Sequence, residues 1–294
     1  MSIGEQTFTI HRFQIEAKAL NVPIYIIPFG DIHRFAPLCD EKKWLEFLYW
    51  ARRKPNAYFL GMGDYDDLAS FNERKALLTA NLHESTKMSL EDLFKDRADR
   101  LSGELNFMKG KLIGLIEGNH FGELQNNTTT TQRMCEKLNC RYLGVSSFIR
   151  LAINHGDKHR AVDIWAHHGR GAARLVGGSL NTVQQMSDIA EADIYLMGHD
   201  HKKSIAIKTR LCLSEGGSGI ALSHKKILLG RTGSFLKGYE PDAPSYIVRS
   251  ALSPTDMGVI KIELTPHRIY HNYLDKSGKK KQQDNFYIDV HASL

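Results

Sequence analysis

Five short segments concentrate the residue types that hold metal ions and move protons: Gly30-Asp31-Ile32-His33, Gly63-Asp64-Tyr65-Asp66-Asp67, Gly118-Asn119-His120, Ala166-His167-His168-Gly169 and Gly198-His199-Asp200-His201. Carboxylate and imidazole donors together suit borderline divalent ions such as Mn, Fe or Zn, whereas an all-oxygen set suits Mg or Ca. The set offers more donors than one ion needs, so two metals are implied. Two ions roughly 3.5 to 4 Å apart clamp both the attacking and the leaving oxygen of a phosphoryl displacement. Glycine precedes Asp31, Asp64, Asn119 and His199, where it permits a sharp turn at φ > 0 and a close backbone approach. A lone histidine is usually a packing or surface residue; membership of this ordered set reverses that reading for His33, His199 and His201. The His167-His168 pair ends a predicted strand, so its two rings point to opposite sides and only one faces the metals.

The elements that must position these residues follow from the hydrophobic pattern. Thr7 to Ile15 alternates like a half-buried strand, and Val22 to Phe29 reads as a buried one stopping at Gly30. Trp44, Leu45, Leu48 and Ala51 give 40–54 a helical period, and Ala57 to Met62 is a strand again, making a strand, helix, strand unit with a parallel pair. Segment 68–111 is a charged helical insertion in which Ser89-Leu-Glu-Asp resembles a capping box. Leu112 to Ile116 is a strand, a helix runs to about Leu138, and Ser147 to Ile153 and Ala161 to Ala166 are strands, before a helix at 180–191 and a strand at 194–197. Beyond His201 the pattern turns to short β runs at 204–213, 246–251, 258–264 and 268–273, with a plain turn at Gly216-Gly217-Ser218-Gly219 and a loop or ragged hairpin at 276–283. Each of the five motifs follows a predicted strand. In an open α/β sheet the loops at the carboxyl ends of strands converge, so residues distant in sequence meet there.

Composition sets the outer bounds. The chain has 294 residues, 42% hydrophobic and 24% charged, with a formal net charge of +6, which is globular and excludes wholesale disorder. No apolar run approaches the ~18 residues of a membrane span. The first residues, MSIGEQTFTIHRF, carry no apolar secretory core, so a cytoplasmic protein with no membrane partner is expected. Cys39, Cys135, Cys140 and Cys212 are scattered and read as reduced thiols. One domain over 1–294 is expected, with a metal-motif core at 22–215, the insertion at 68–111 and a β-rich part at 216–294.

The ordered set DxH, GDxxD, GNH, H and GHxH over residues 31–201 resembles the calcineurin-like metallophosphoesterase superfamily. The resemblance covers about two-thirds of the chain. It implies an α/β fold, a four-layer α-β-β-α sandwich of two mixed sheets with the metal site at the carboxyl ends of the strands. By motif position it implies that Asp31, His33 and His201 hold one divalent transition-metal ion and Asn119, His167 and His199 the other, with Asp64 bridging. His120 is then outside the metal ligands, stabilising the phosphate or protonating the leaving oxygen, oriented by Asp67. The implied reaction is in-line attack on phosphorus by a metal-bridging hydroxide.

Departures from the family narrow the substrate. Serine/threonine phosphatases carry Arg-Gly after the last Asp of the second motif, an Arg before GNH and a Glu after it; here Leu68-Ala69, Glu117 and Phe121 stand there. With those phosphate-gripping arginines absent and the chain basic, phosphodiesters rank first, either nucleic acid or nucleotides, since repair nucleases share the bare motifs. A phosphomonoesterase on a small metabolite ranks next, followed by a non-catalytic scaffold of the same fold, whose signature would be lost ligands. Arg170 and Arg174, in a glycine-rich loop after His168, are candidate substrate contacts, the alternative being a solvated loop. Arg34 is equally a substrate contact or a structural ion pair. Lys202, Lys203, Lys225, Lys226 and 279–281 make a basic rim only if they cluster; scattered solvated charge is the plainer expectation. The insertion is a wall of the site or a contact in a homodimer.

Overall fold

The computed structural model describes residues 7–294 except 126, 172, 217–218, 242–244, 255 and 275–276. The chain forms β1 (Phe8–Glu16), β2 (Ile24–Phe29), α1 (Glu41–Arg53), β3 (Ala57–Gly61), α2 (Phe71–Thr79), α3 (Glu84–Leu105) and β4 (Leu112–Leu115). It continues through α4 (Thr130–Leu138), β5 (Arg141–Tyr142), β6 (Ser146–His155), β7 (Lys158–His167), α5 (Val176–Ile189), β8 (Ile194–Met197) and β9 (Lys203–Gly216). The last elements are β10 (Gly219–Thr232), α6 (Tyr246–Arg249), β11 (Lys261–Leu274) and β12 (Lys280–Ser293).

The strands make two mixed six-stranded sheets, ordered β1-β6-β7-β8-β10-β9 and β12-β11-β2-β3-β4-β5. Strand alternation sorts their side chains into layers. Ile24 and Ile26 of β2, Leu60 of β3, Ile164 and Ala166 of β7, and Ile194 and Leu196 of β8 meet between the sheets. Ile27, Phe29 and Phe59 point the other way, under Trp44 and Leu48 of α1, Leu101 and Leu105 of α3, and Leu138 of α4. On the opposite flank Trp165, Tyr195 and Met197 pack beneath Val183 and Met186 of α5. Helix, sheet, sheet, helix is thus the layer order. It leaves β2, β3 and β4 parallel in one sheet and β7 and β8 parallel in the other, each ending in a metal motif.

Helix starts are set by local bonds. Asp40 accepts from the Lys43 amide at the head of α1, and Thr129 and Gln132 form a capping box at α4. The expected capping box at Ser89 is not one. α3 begins at Glu84 behind His83, and Ser89 lies inside it, its hydroxyl bonded to the Ser85 carbonyl at 3.0 Å.

The C-terminal part departs most from expectation. The run at 246–251 is not a strand; 246–249 forms the short helix α6. β10 escaped the hydrophobic pattern because His224, Lys225 and Lys226 interrupt it, yet it pairs along its whole length with β9. The runs at 258–264 and 268–273 merge into one strand through Pro266, tolerated because β2 pairs with β11 only at Ile262, Glu263 and Leu264. The segment read as a loop at 276–283 holds, from Lys280 onward, the start of β12, which pairs with β11; Lys276 lies outside the described residues, as do Gly217 and Ser218 of the expected turn. The cysteines are free thiols, Cys39 and Cys135 buried. Among the described residues no helix is long and apolar enough to cross a membrane.

Leu196, with no solvent exposure between the sheets, and Leu213, 75% exposed on β9, make a paired test of these layers. Leu196→Ala is expected to lower unfolding stability by about 2–5 kcal/mol. Leu213→Ser should change it by no more than about 0.5 kcal/mol. Urea denaturation measures both, and a small cost at Leu196 would contradict the inter-sheet placement.

Candidate metal centre

Each motif enters the site as its strand ends, and backbone bonds stitch the loops together. The Asp31 amide donates to the Gly63 carbonyl at 2.9 Å and the His33 amide to the Asp64 carbonyl at 3.1 Å. The His120 amide donates to Asp64 Oδ1 at 2.8 Å and the His199 amide to Asp31 Oδ2 at 2.9 Å. The expected left-handed glycines are only partly found. Of the four glycines that precede a ligand candidate only Gly63 has positive φ, +101°, while five ligand candidates are themselves left-handed: Asp31, His33, Asp64, His199 and His201, with φ between 46° and 71°. Such conformations are strained for residues bearing a Cβ, and the surrounding bonds hold them. At Gly118 the constraint is space, since a Cβ there would lie 2.0 Å from Asp64 Oδ1.

The side chains gather into two largely buried clusters, Asp31-His33-His201 and Asp64-His168-His199, each with its donor atoms close enough to surround one metal ion; a third, more open group of His33, Asp67 and His120 meets the same spacing and shares His33 with the first. In the first, His33 Nε2 and His201 Nε2 are 3.2 Å apart, and Asp31 Oδ1 lies 3.7 Å from His201 Nε2. In the second, His168 Nε2 is 3.0 Å from Asn119 Oδ1, 3.3 Å from Asp64 Oδ2 and 3.3 Å from His199 Nδ1. Asp64 Oδ2 also lies 3.8 Å from His33 Nε2, so one carboxylate oxygen faces both clusters. Other bonds select the nitrogens presented. His33 Nδ1 donates to Asp67 Oδ1 at 3.0 Å and His168 Nδ1 to the Met62 carbonyl at 2.8 Å, which leaves both Nε2 atoms inward.

The second cluster contains His168, not His167. Ile164 and Ala166 face the space between the sheets while Trp165 packs under α5. His168 continues the inward parity and is 2% exposed. His167 has the parity of Trp165, and its Nδ1 accepts from the Gly169 amide at 2.8 Å. The sequence contained this signal, because the aliphatic run Val162, Ile164, Ala166 marks the interior face and extends in steps of two to 168.

The electrostatics fit a cationic guest. Asp31 is fully buried, and burial raises its carboxyl to about 7 against the pull of His168 and His33. Its Oδ1 has no hydrogen-bond partner. An orphaned buried carboxylate oxygen facing imidazole nitrogens is costly unless a cation completes it. Burial alone would raise Asp64 too, but His168, His33 and His120 hold it well below the usual carboxylate range. Burial opposes the charge of His168, yet Asp64, Asp31 and the Met62 carbonyl outweigh it and raise the ring to about 9. Burial, aided by neighbouring imidazoles, depresses His201 strongly and His199 to about 4, the neutral form that a metal requires.

Around the clusters, His120 and Asp67 adjoin but do not share a tight bond. His120 Nδ1 bonds the Leu68 carbonyl at 3.1 Å, with Asp67 Oδ1 3.5 Å away, and Asp67 makes its shorter bond to His33. Arg170 and Arg174 are exposed on the loop between β7 and α5 and are absent from the lining of the cleft. Arg34 is a structural residue, paired with Glu41 and Glu104. Of the candidate basic rim, Lys203 pairs with Asp256, and Lys225 with Glu191 and Asp193. Two supports escaped the sequence reading. Arg74 of α2 donates to the Asn119 carbonyl at 2.8 Å. The buried Arg231 of β10 donates to the Gly198 carbonyl at 2.8 Å and lies 3.5 Å from Asp200, bracing the loop of His199 and His201.

No protein-family model and no curated protein matches the chain. Among solved structures it is similar to Chaetomium thermophilum Vps29, at 11% identity and a TM-score of 0.37, over 92% of this chain and 97% of that one.

Since His168 holds a proton up to about pH 9 while a metal ligand must be neutral, Mn or Zn binding at pH 7 is expected to release protons, and affinity should weaken as pH falls. Calorimetry in buffers of different ionisation enthalpy reads this directly. His168→Gln should reduce the release and weaken one site by roughly 10-fold or more, while His167→Gln leaves both sites near wild type. The opposite ranking would return the ligand role to His167.

Proposed function

We propose that the chain is a binuclear metal-dependent phosphodiesterase of the calcineurin-like kind. The observation that carries the reading is the pair of buried carboxylate and imidazole clusters facing a common Asp64 oxygen. Asp31, His33 and His201 would hold one ion and Asn119, His168 and His199 the other, with Asp64 between them. When bound, ions in such a pair polarise phosphoryl oxygens and lower the pKa of water.

The chain's own groups supply the remainder. The clusters open into a cleft of about 520 Å³, walled on one side by Ala36, Pro37, Leu38 and Leu236, where the phosphate meets His120, Asn119 and the histidines. Asp67 fixes the His33 ring and lies 3.5 Å from His120 Nδ1. With Nδ1 of His120 committed to the Leu68 carbonyl, Nε2 is the atom that donates a proton to the leaving oxygen. Among the described residues no lysine or arginine lines the cleft. A monoester dianion or a strand gripped at several phosphates calls for such residues, so a diester engaged through one phosphate is the better supported substrate.

The test is hydrolysis of bis-p-nitrophenyl phosphate by Mn-, Fe- or Zn-loaded protein, abolished by a chelator. His120→Ala is expected to lower kcat by about 10²- to 10⁴-fold with metal content retained, and Asp67→Asn to do so more mildly. Asp64→Asn should deplete both ions. Failure to hydrolyse the diester under every loading condition would refute the proposal.

A further inference from the structure

We infer that the groove between α2 and α3 holds an alkyl or acyl substituent of the phosphodiester whose phosphate lies at the two clusters, an inference that rests on the function proposed above. The groove, about 460 Å³, is of the size that encloses small-molecule ligands. α3 lines it with Leu90, Leu93 and Phe94, spaced to share one helix face, and α2 faces them with Ala76 and Leu77. Farther along α3 the stripe of Ala98, Leu101 and Leu105 is buried in the core. Its continuation towards Leu90 has no such cover, and Leu93 is 43% exposed.

Two observations identify the occupant as part of the substrate. Asp67 lines both the groove and the metal cleft, so the groove begins beside the reacting phosphate. Its charged side chains are Asp67, Glu73 and Arg97, and Arg97 is engaged by Asp66 at 3.3 Å. The remaining wall is hydrocarbon, which offers a sugar or a nucleobase no hydrogen-bond partners but receives a methylene chain at a gain of several-fold in affinity for each methylene buried. A second copy of the chain would have no reason to meet a groove that opens on Asp67.

The experiment measures binding of dimethyl-, butyl(methyl)- and methyl(octyl)phosphinate, singly charged diester mimics whose two P–C bonds leave no ester to hydrolyse, to the metal-loaded full chain by calorimetry. Kd should fall by at least roughly 30-fold from methyl to octyl. Ala76→Trp, which fills the groove from an exposed position, and Leu93→Glu, which places charge in it, should each bring that ratio below about threefold. A wild-type ratio near one, or a ratio that survives both substitutions, overturns the inference. So does a dimer in sedimentation that Leu93→Glu dissociates, which would give the groove to a second copy. Turnover of p-nitrophenyl methyl and p-nitrophenyl octyl phosphate separates the two readings. Chain-length-dependent binding with neither ester hydrolysed refutes the phosphodiesterase and keeps the groove; hydrolysis of both with flat binding refutes the groove alone.

Discussion

Everything at the site follows from the burial of two carboxylates, Asp31 and Asp64, among imidazoles at the seam between two sheets. In such a place a carboxylate either protonates or finds positive charge. Asp64 finds it in His168, while Asp31, with one oxygen unpaired, is pushed towards protonation. Neighbouring imidazoles respond in opposite senses: His168 is held charged, His199 and His201 neutral. Divalent cations would resolve these conflicts together, by satisfying the orphaned oxygen and displacing the proton on His168 in one step.

Holding that arrangement costs backbone strain, and the fold meets the cost with rigid support on every side. Five ligand candidates adopt left-handed conformations, each an unfavourable choice by about 1–3 kcal/mol where the conformation is sparsely populated. Parallel strands deliver them from fixed directions. Arg74 grips the Asn119 carbonyl from the insertion and Arg231 grips the Gly198 carbonyl from β10. Arg231 and Asp200 form a buried pair whose value lies in fixing a loop rather than in net stability, since desolvation offsets most of the attraction in such pairs.

The residues of the two clusters were legible in the sequence because they belong to short-range motifs placed after strands, and each cluster recruits residues from several of them. The layered sandwich was implied by the family resemblance, whereas the apolar run of β2 showed only a buried strand; the fold is what sorts Ile24 and Ile26 from Ile27 and Phe29. What escaped depends on partners distant in sequence. β10 and β12 are stabilised by pairing with β9 and β11 rather than by their own pattern, and the short helix at 246–249 has the β-rich composition of a strand. Choosing His168 over His167 required extending the parity of β7 one step past its end. Arg74 and Arg231 look like ordinary charges until the fold shows which carbonyls they hold.

The insertion ties these strands together. Its two helices do more than cover a sheet: Arg74 steadies the loop bearing Asn119 and His120, the Leu68 carbonyl that leads into α2 accepts a hydrogen bond from His120 Nδ1, and Arg97 of α3 pairs with Asp66 beside the ligand candidate Asp64. The same helices turn half-covered apolar faces towards each other next to Asp67. A substituent of the kind proposed for this groove would therefore press on the elements that position His120, and a substrate lacking it would leave them less constrained. Under the proposed function, binding energy gained away from the phosphate would in this way be spent on orienting His120, which is how remote contacts raise turnover rather than affinity alone.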